Sequence, residues 1–447
     1  MTHEAWEATM SIRFTALLST LILPISSSYA DSPEQKKHKD IVLITARGTY
    51  IRRKPERHGG RFGVVRRGAR VAVERRITAP GCQGQWLKLR VGGYLCSAES
   101  RPTTKPPGGP IHPVTPKGRR LPYRYIMVGR DGSTEYATWS DAASDLPLEY
   151  LEPGFGRTYR RVVRREGLRF YRTTRGTYIP AEDAFRIHGS RFRGLAVQET
   201  PARNRLPLVF THRSRTTLYR SPSGGVLRRV KRFKSFRITG AVKGRRDRLY
   251  YRVHPAGFFR ARHVRLALPR AAPYEVGAGK KWVDLDINQQ VLVAYEGNRP
   301  VYATLMSSGR GKKTPTGVFR VWAKLAATDM DNDARAENRY SMWNVPWTLY
   351  FKGGLAIHGT YWHNRFGYKK SHGCINLSPK DARWVFNWSS PTLPPGWWAR
   401  LPARGEDSLV VRIHKSSPRS VLAFFRPRRR LPSLGVWSWP GGLSLHR

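Results

Sequence analysis

The sequence predicts a mainly β protein: small antiparallel β units in its N-terminal part, then a β-rich C-terminal domain with one short helix. Three observations carry this reading. A line of similar pattern recurs three times, as Trp86-Leu-Lys-Leu-Arg-Val-Gly-Gly-Tyr94-Leu-Cys-Ser-Ala98, Phe170-Tyr-Arg-Thr-Thr-Arg-Gly-Thr-Tyr178-Ile-Pro-Ala181 and Tyr250-Tyr-Arg-Val-His-Pro-Ala-Gly-Phe258-Phe-Arg-Ala261. Each copy is an aromatic, a basic alternating stretch, a glycine turn, a second aromatic and an alanine, and alternation around a glycine turn signals a β-hairpin. From Lys280 the texture changes to a strand–turn–strand meander: Trp282–Asn288, Val291–Tyr295, the Glu296-Gly-Asn298 turn, Val301–Ser307, then Thr314–Trp322. Finally, Pro379–Trp388 has helical texture, with Pro379 in the first turn, where a missing N–H costs nothing.

Taken in order, Met1–Ala30 reads as a secretion signal. Arg13 precedes the apolar run Phe14–Ile25, about a dozen residues, too short to span a bilayer and suited to a signal-peptide core. Ser28 and Ala30 are small residues where a signal peptidase reads, and Met10 would start a tighter signal. No cysteine stands at the cleavage point for a lipid anchor, and no other stretch reads as transmembrane. The mature chain is therefore expected in the periplasm or cell wall.

Residues 40–101 add the short strands Gly48–Pro55 and Val71–Ile77 to the first recurrent line, and residues 206–268 add Leu218–Pro222 and Phe236–Thr239 to the third. These two segments, and more weakly 120–195 around the second line, resemble the bacterial SH3-like module, a small barrel common in secreted cell-wall proteins. Barrels this short bury little core alone. In an oxidising compartment Cys82 and Cys96 can close a loop of about fifteen residues, stabilising the first module by roughly 3 kcal/mol; two unpaired thiols are the alternative. Residues 102–119, proline-rich through Pro116, read as an extended linker. Ser408–Ile413 is expected to close the C-terminal sheet, and residues 416–447, with Arg426–Arg430, read as a basic tail.

The charge is extreme, with 81 Lys+Arg against 30 Asp+Glu, a net +51. Such a field implies an anionic partner: nucleic acid, a membrane surface, or an acidic polymer. The bland alternative is arginine-rich composition spread over a solvated surface. Export weakens the nucleic-acid reading and favours an anionic cell-wall polymer or envelope surface.

The chemistry concentrates near the C-terminal end, where Ser371-His372-Gly373-Cys374-Ile375-Asn376 follows Ile357-His358-Gly359-Thr360. A free thiol of pKa about 8.5 is mostly un-ionised at neutral pH and needs a positioned base to react quickly. An imidazole on an upstream strand supplies one. The run from Trp282 to Ile413 resembles a YkuD-type L,D-transpeptidase domain: a His-Gly pair, about a dozen residues, then Ser/Thr-His-Gly-Cys-apolar-Asn or Arg. The Asp284…Gln289-Gln290, Ser307-Ser-Gly309 and Thr314-Pro-Thr-Gly317 segments fit the same pattern.

The resemblance implies that Cys374 attacks the carbonyl between the third and fourth residues of a peptidoglycan stem peptide. His358 would shuttle the proton, oriented through the Gly359 carbonyl, and the N–H groups of His372, Gly373 and Cys374 would form an oxyanion hole. An amine acceptor would then give a 3→3 cross-link; water, a D-amino acid or a protein are alternative acceptors. No metal or cofactor is expected, because one thiol carries both half-reactions. Ser371, Asn376, Trp343, Trp347, Tyr361 and His363 are candidates for the substrate cleft, and Lys369 and Lys370 for attracting stem-peptide carboxylates. His372 reads as a structural partner more readily than as the base. Asp329–Asp333 lacks the glycine and glutamate of a calcium loop, having Ala334 and Tyr340 instead, and reads as an acidic loop over the cleft. A cell-wall-binding protein with a vestigial catalytic domain is the rival from another class.

Overall fold

The computed structural model describes residues 40–197, 205–332, 337 and 339–425. The expected signal segment and the Arg426–Arg430 run lie outside them. The chain is mainly β, and no helix among the described residues is long and apolar enough to cross a membrane.

Each recurrent line folds as an antiparallel hairpin. Trp86–Leu89 pairs with Tyr94–Cys96, Leu168–Thr173 with Tyr178–Pro180, and Leu249–Val253 with Phe258–Arg260. Around each hairpin a small apolar cluster forms: Val42, Ile51, Val71, Leu87 and Leu95 in the first unit, Ile126, Leu151, Tyr171 and Ile179 in the second, Leu218, Ile238, Tyr251 and Phe259 in the third. Cys82 and Cys96 are joined as a disulfide in the first unit.

The C-terminal domain packs two sheets around a helix. One sheet runs in the order Leu195–Ala196, Arg299–Leu305, Val291–Glu296, Lys281–Asp286, Val410–His414, Gly317–Arg320. Val410–His414 therefore sits inside this sheet, parallel to Lys281–Asp286, and Gly317–Arg320 takes the edge. The second sheet holds the long hairpin Ala323–Asp331 and Ser341–Lys352, then Leu355–Gly359 and Ile375–Leu377. Between them lies one core, with Val283, Leu292 and Val411 from one side and Trp347, Leu349, Ile357 and Ile375 from the other. The helix Pro379–Trp388 contributes Ala382, Val385 and Phe386 to that core. Ser378 caps it by accepting the Asp381 N–H. Buried Asp381 accepts from Tyr302, Thr304 and the Gly194 N–H, at 2.7, 2.6 and 2.8 Å, which ties the helix start to the first sheet.

The first two N-terminal units are joined to this domain by strand pairing. Arg61–Arg66 lies antiparallel to Trp397–Arg400, and Trp397 completes the first unit's apolar cluster. A side chain at Gly63 would put its Cβ 2.5 Å from the Trp397 ring, so only glycine allows this approach. In the second unit Gly156 pairs in parallel with Met342. The proline-rich segment is pinned as well: Gly108 bridges to Arg70, and Pro110 accepts the Gly396 N–H. Within the expected tail, Pro418–Phe425 is helical and buries Val421 in the third unit's cluster.

Candidate active site

His358 is the penultimate residue of a strand, Leu355–Gly359, that pairs in parallel with Ile375–Leu377, and the register sets His358 beside Asn376. Cys374 immediately precedes the second of these strands, two residues from Asn376 and on the same face. Both side chains line one cavity of about 380 Å³. The other lining residues are Arg310, Lys313, Met330, Arg339, Tyr340, Met342, Trp362, Lys370, Ser371, His372 and Asn376.

The turn carrying Cys374 is braced from both sides. Ser371 Oγ donates to the Cys374 carbonyl at 2.6 Å and accepts the Gly373 N–H at 3.1 Å. Ser307 and Asn376 exchange backbone hydrogen bonds of 2.9 and 2.8 Å, and Ser308 O accepts from Lys370 and Ser371. Ser308 is itself held by Gln290, which accepts its N–H at 2.9 Å and donates to its hydroxyl at 2.6 Å. Gly373 has φ +143°, and a Cβ there would meet Leu355 at 2.7 Å. The Gly373 N–H is thus already bonded within the turn.

Cys374 is the free cysteine of the described chain and is half-buried. Its Sγ accepts the Ala356 N–H at 3.4 Å and faces Gly354 O at 3.8 Å. Burial pushes its pKa up, opposed by the Ala356 N–H. His358 is buried, and burial lowers its pKa to about 4, opposed by the Gly359 carbonyl. That carbonyl stands 3.4 Å from Nδ1. A carbonyl only accepts, so Nδ1 carries the proton and Nε2 presents the lone pair. At rest the pair is thus a neutral thiol and a neutral imidazole.

A model of the YkuD family, described as the L,D-transpeptidase catalytic domain, matches residues 280–401. This segment is a YkuD-type L,D-transpeptidase catalytic domain. The protein YciB of Bacillus subtilis (strain 168), whose name provisionally places it among the L,D-transpeptidases, is 27% identical over 119 residues, 24% of this chain and 59% of its own. The chain thus spans less than two thirds of that relative's length. Among solved structures, an L,D-transpeptidase from Xylanimonas cellulosilytica DSM 15894 is 28% identical, with 32% of this chain and 64% of that one covered and a TM-score of 0.23. One from Mycobacterium smegmatis is 18% identical, with 46% and 82% covered and a TM-score of 0.26.

Within the L,D-transpeptidase domain, several expected cleft residues lie elsewhere. Trp343 is buried beneath the guanidinium groups of Arg175 and Arg157, at 3.8 and 4.5 Å. Tyr361 stacks on Tyr125 with centroids 3.9 Å apart, and Trp347 belongs to the central core. Their apolar bulk is used in packing; the aromatic rings lining the cavity are Tyr340 and Trp362. Trp362 stacks on His358 at 5.6 Å, and Tyr340 on exposed His372 at 4.9 Å. His363 stands behind the lining, 2.9 Å from the Asn376 amide. Its Nδ1 accepts the Arg365 N–H, and burial lowers its pKa to about 3, so Nε2–H is a donor. The Asn376 amide is then satisfied with its oxygen towards Nε2.

The expected acidic loop is partly strand. Ala323–Asp331 continues through the aspartates with period-two alternation, so Met330 faces the cavity while Asp329 pairs with Arg175. Among the described residues no carboxylate lines the cavity, whereas Arg310, Lys313, Arg339 and Lys370 do. Sequence reasoning weighed only Lys370 of these four. Lys313 lies in the segment between Gly309 and Thr314 that the family pattern already marks, and that placement was the available signal for it.

Proposed function

We propose that the protein is an exported peptidoglycan L,D-transpeptidase that works through a thioacyl-enzyme on Cys374. The observation that carries this reading is the shared cavity of Cys374 and His358 within the matched domain. His358 Nε2 takes the thiol proton as sulfur attacks the carbonyl between the third and fourth residues of a stem tetrapeptide. The N–H groups of His372 and Cys374 steady the resulting oxyanion. Collapse breaks the C–N bond, and the imidazolium returns its proton to the departing D-alanine amine. An acceptor amine then attacks the thioester, its surplus proton passing to His358 and on to sulfur, which leaves a 3→3 amide and the free thiol.

The cavity's four cations suit a donor bearing free carboxylates. The first and third N-terminal units, read as SH3-like modules, and the net charge of +51 suit retention on an anionic cell-wall polymer. The disulfide in the first unit agrees with an oxidising compartment.

Incubation with disaccharide-tetrapeptide tests the reading: D-alanine and 3→3 dimers should form, and Cys374→Ala should abolish both. A carbapenem should add covalently to the wild type and not to the variant. Neither product from a folded protein, with an unmodified intact mass after carbapenem, would falsify it.

A further inference from the structure

Met330, Arg339, Tyr340 and Met342 all come from the hairpin Ala323–Asp331/Ser341–Lys352 and form one wall of the catalytic cavity. Each is either held by the unit at residues 124–187 or adjoins a residue that is. Arg339 pairs with Glu152 at 2.8 Å, and its guanidinium lies 5.4 Å from the Phe155 ring centre. Tyr340 and Met342 flank Ser341, whose hydroxyl and carbonyl accept from Arg157 Nη1 at 3.0 and 3.4 Å. Met342 pairs with Gly156, where a Cβ would stand 2.7 Å from the Met342 sulfur. Met330 follows Asp329, which pairs with Arg175 and accepts the Asn344 N–H at 2.7 Å. The Asn344 carbonyl accepts from Tyr125 at 2.7 Å.

Arg157 is the centre of this attachment. Its side chain is 2% exposed and bonds Glu135 at 3.2 Å and Glu149 at 3.0 Å while reaching Ser341. Three simultaneous partners, with the Trp343 ring beneath, need a planar fork of five donors; a lysine ammonium offers neither the reach nor the plane. A buried cation is tolerated only when its hydrogen bonds are this complete. The strands Leu355–Gly359 and Ile375–Leu377 pair with each other and, through the first, with Ser341–Lys352, and Tyr361, just beyond the first, stacks on Tyr125.

We propose that residues 124–187 are a component of the active site, in which Arg157 and Glu152 are positioning residues that set the substrate-selecting wall. The proposal rests on the L,D-transpeptidase reading of the cavity. It removes this unit from the set of detachable anchoring modules. The hairpin wall, whose Tyr340 also stacks on His372, shapes the binding of the donor peptide, so its loss appears chiefly in KM.

The test uses the full chain with Arg157→Met, Arg157→Lys and Glu152→Gln. In Arg157→Met, amide exchange over residues 339–343 should quicken about tenfold or more. KM for disaccharide-tetrapeptide should rise about tenfold with kcat changed less than about threefold. The rate of Cys374 alkylation by iodoacetamide should stay at the wild-type value. Arg157→Lys should not restore KM, since charge without the fork is insufficient, and Glu152→Gln should raise KM by a smaller factor. Arg175→Gln is the substitute where Arg157→Met does not fold, with the same directions expected. Unchanged exchange and KM overturn the proposal, as does a parallel fall in kcat and alkylation at constant KM. Absence of turnover in the wild type counts against the transpeptidase reading alone, and the exchange result still decides the attachment.

Discussion

The Thr314 hydroxyl donates to the Gly373 carbonyl at 2.7 Å while accepting the Gly309 N–H at 2.8 Å. One buried oxygen therefore couples the segment before Cys374 to the segment that runs beside it. Thr314→Val keeps the shape and removes both bonds, leaving a buried carbonyl and a buried N–H unpaired, at a cost of about 1–3 kcal/mol. Urea unfolding should show that loss, and D-alanine release should slow about tenfold or more as the oxyanion donors loosen. Thr314→Ser should recover most of both.

The pH dependence of turnover should reflect neutral partners. In the proposed mechanism His358 acts as a base only when unprotonated, and burial lowers its pKa to about 4 from a usual 6.5. The acidic limb of kcat/KM should therefore fall near pH 4, and activity should be level through pH 6.5, where an ordinary imidazole would be half lost. The Cys374 thiol is raised by burial, so no thiolate limb should appear in the neutral range. A half-maximum near pH 6.5 on the acid side would contradict this account.

Stability should respond to acid in the same direction. His212 and His363 have pKa values lowered to about 3, chiefly by burial, so between pH 6.5 and that value the unfolded chain binds protons the folded chain refuses. Their contribution is whole above pH 6.5 and is lost as pH falls. Each such group steepens the decline by about 1.4 kcal/mol per pH unit. Denaturant titrations from pH 7 to pH 4.5 should show the slope, and His212→Leu should flatten it by nearly one proton.

Gly63→Ala tests the strand pairing of the first unit with the catalytic domain. The added Cβ would stand 2.5 Å from the Trp397 ring and 2.6 Å from the Ala399 carbonyl. Overpacking of this kind costs about 1–3 kcal/mol. Because the obstacle is partly backbone, the upper end is expected, read as a lower melting temperature of the whole chain.

Reduction of the Cys82–Cys96 disulfide, whose cysteines are 14 residues apart, should cost roughly 3 kcal/mol through the freed loop. Calorimetry with and without reductant should show the loss. Thiol alkylation at Cys374 should keep its rate at temperatures where the fold survives.

What the sequence revealed followed from local pattern. The three hairpins were legible because period-two alternation around a glycine is a property of a dozen consecutive residues. The Pro379–Trp388 helix was legible because its proline and its apolar spacing lie within ten. His358 and Cys374 were legible through spacing and the family pattern. Contacts between distant segments were not. Trp343 and Tyr361 look like cleft walls from their neighbourhood, yet Arg157, Arg175 and Tyr125 claim them from the second unit. The interior position of Val410–His414 depends on a parallel pairing with Lys281–Asp286, which no local signal encodes. Met330 and Asp329 face opposite ways because a strand continues where charge suggested a loop.

Trp397 sits in the apolar cluster of a unit whose other members come from residues 42–95. Residues 42–95 thus lack a core ring of their own cluster until Trp397 has been synthesised. Maturation follows from this: the first unit stays incomplete, with the cysteine link as its local restraint, and becomes fully stable only when the catalytic domain supplies that indole. A chain ending before Trp397 would carry an unfinished first unit, more open to proteolysis than the same unit in the full chain.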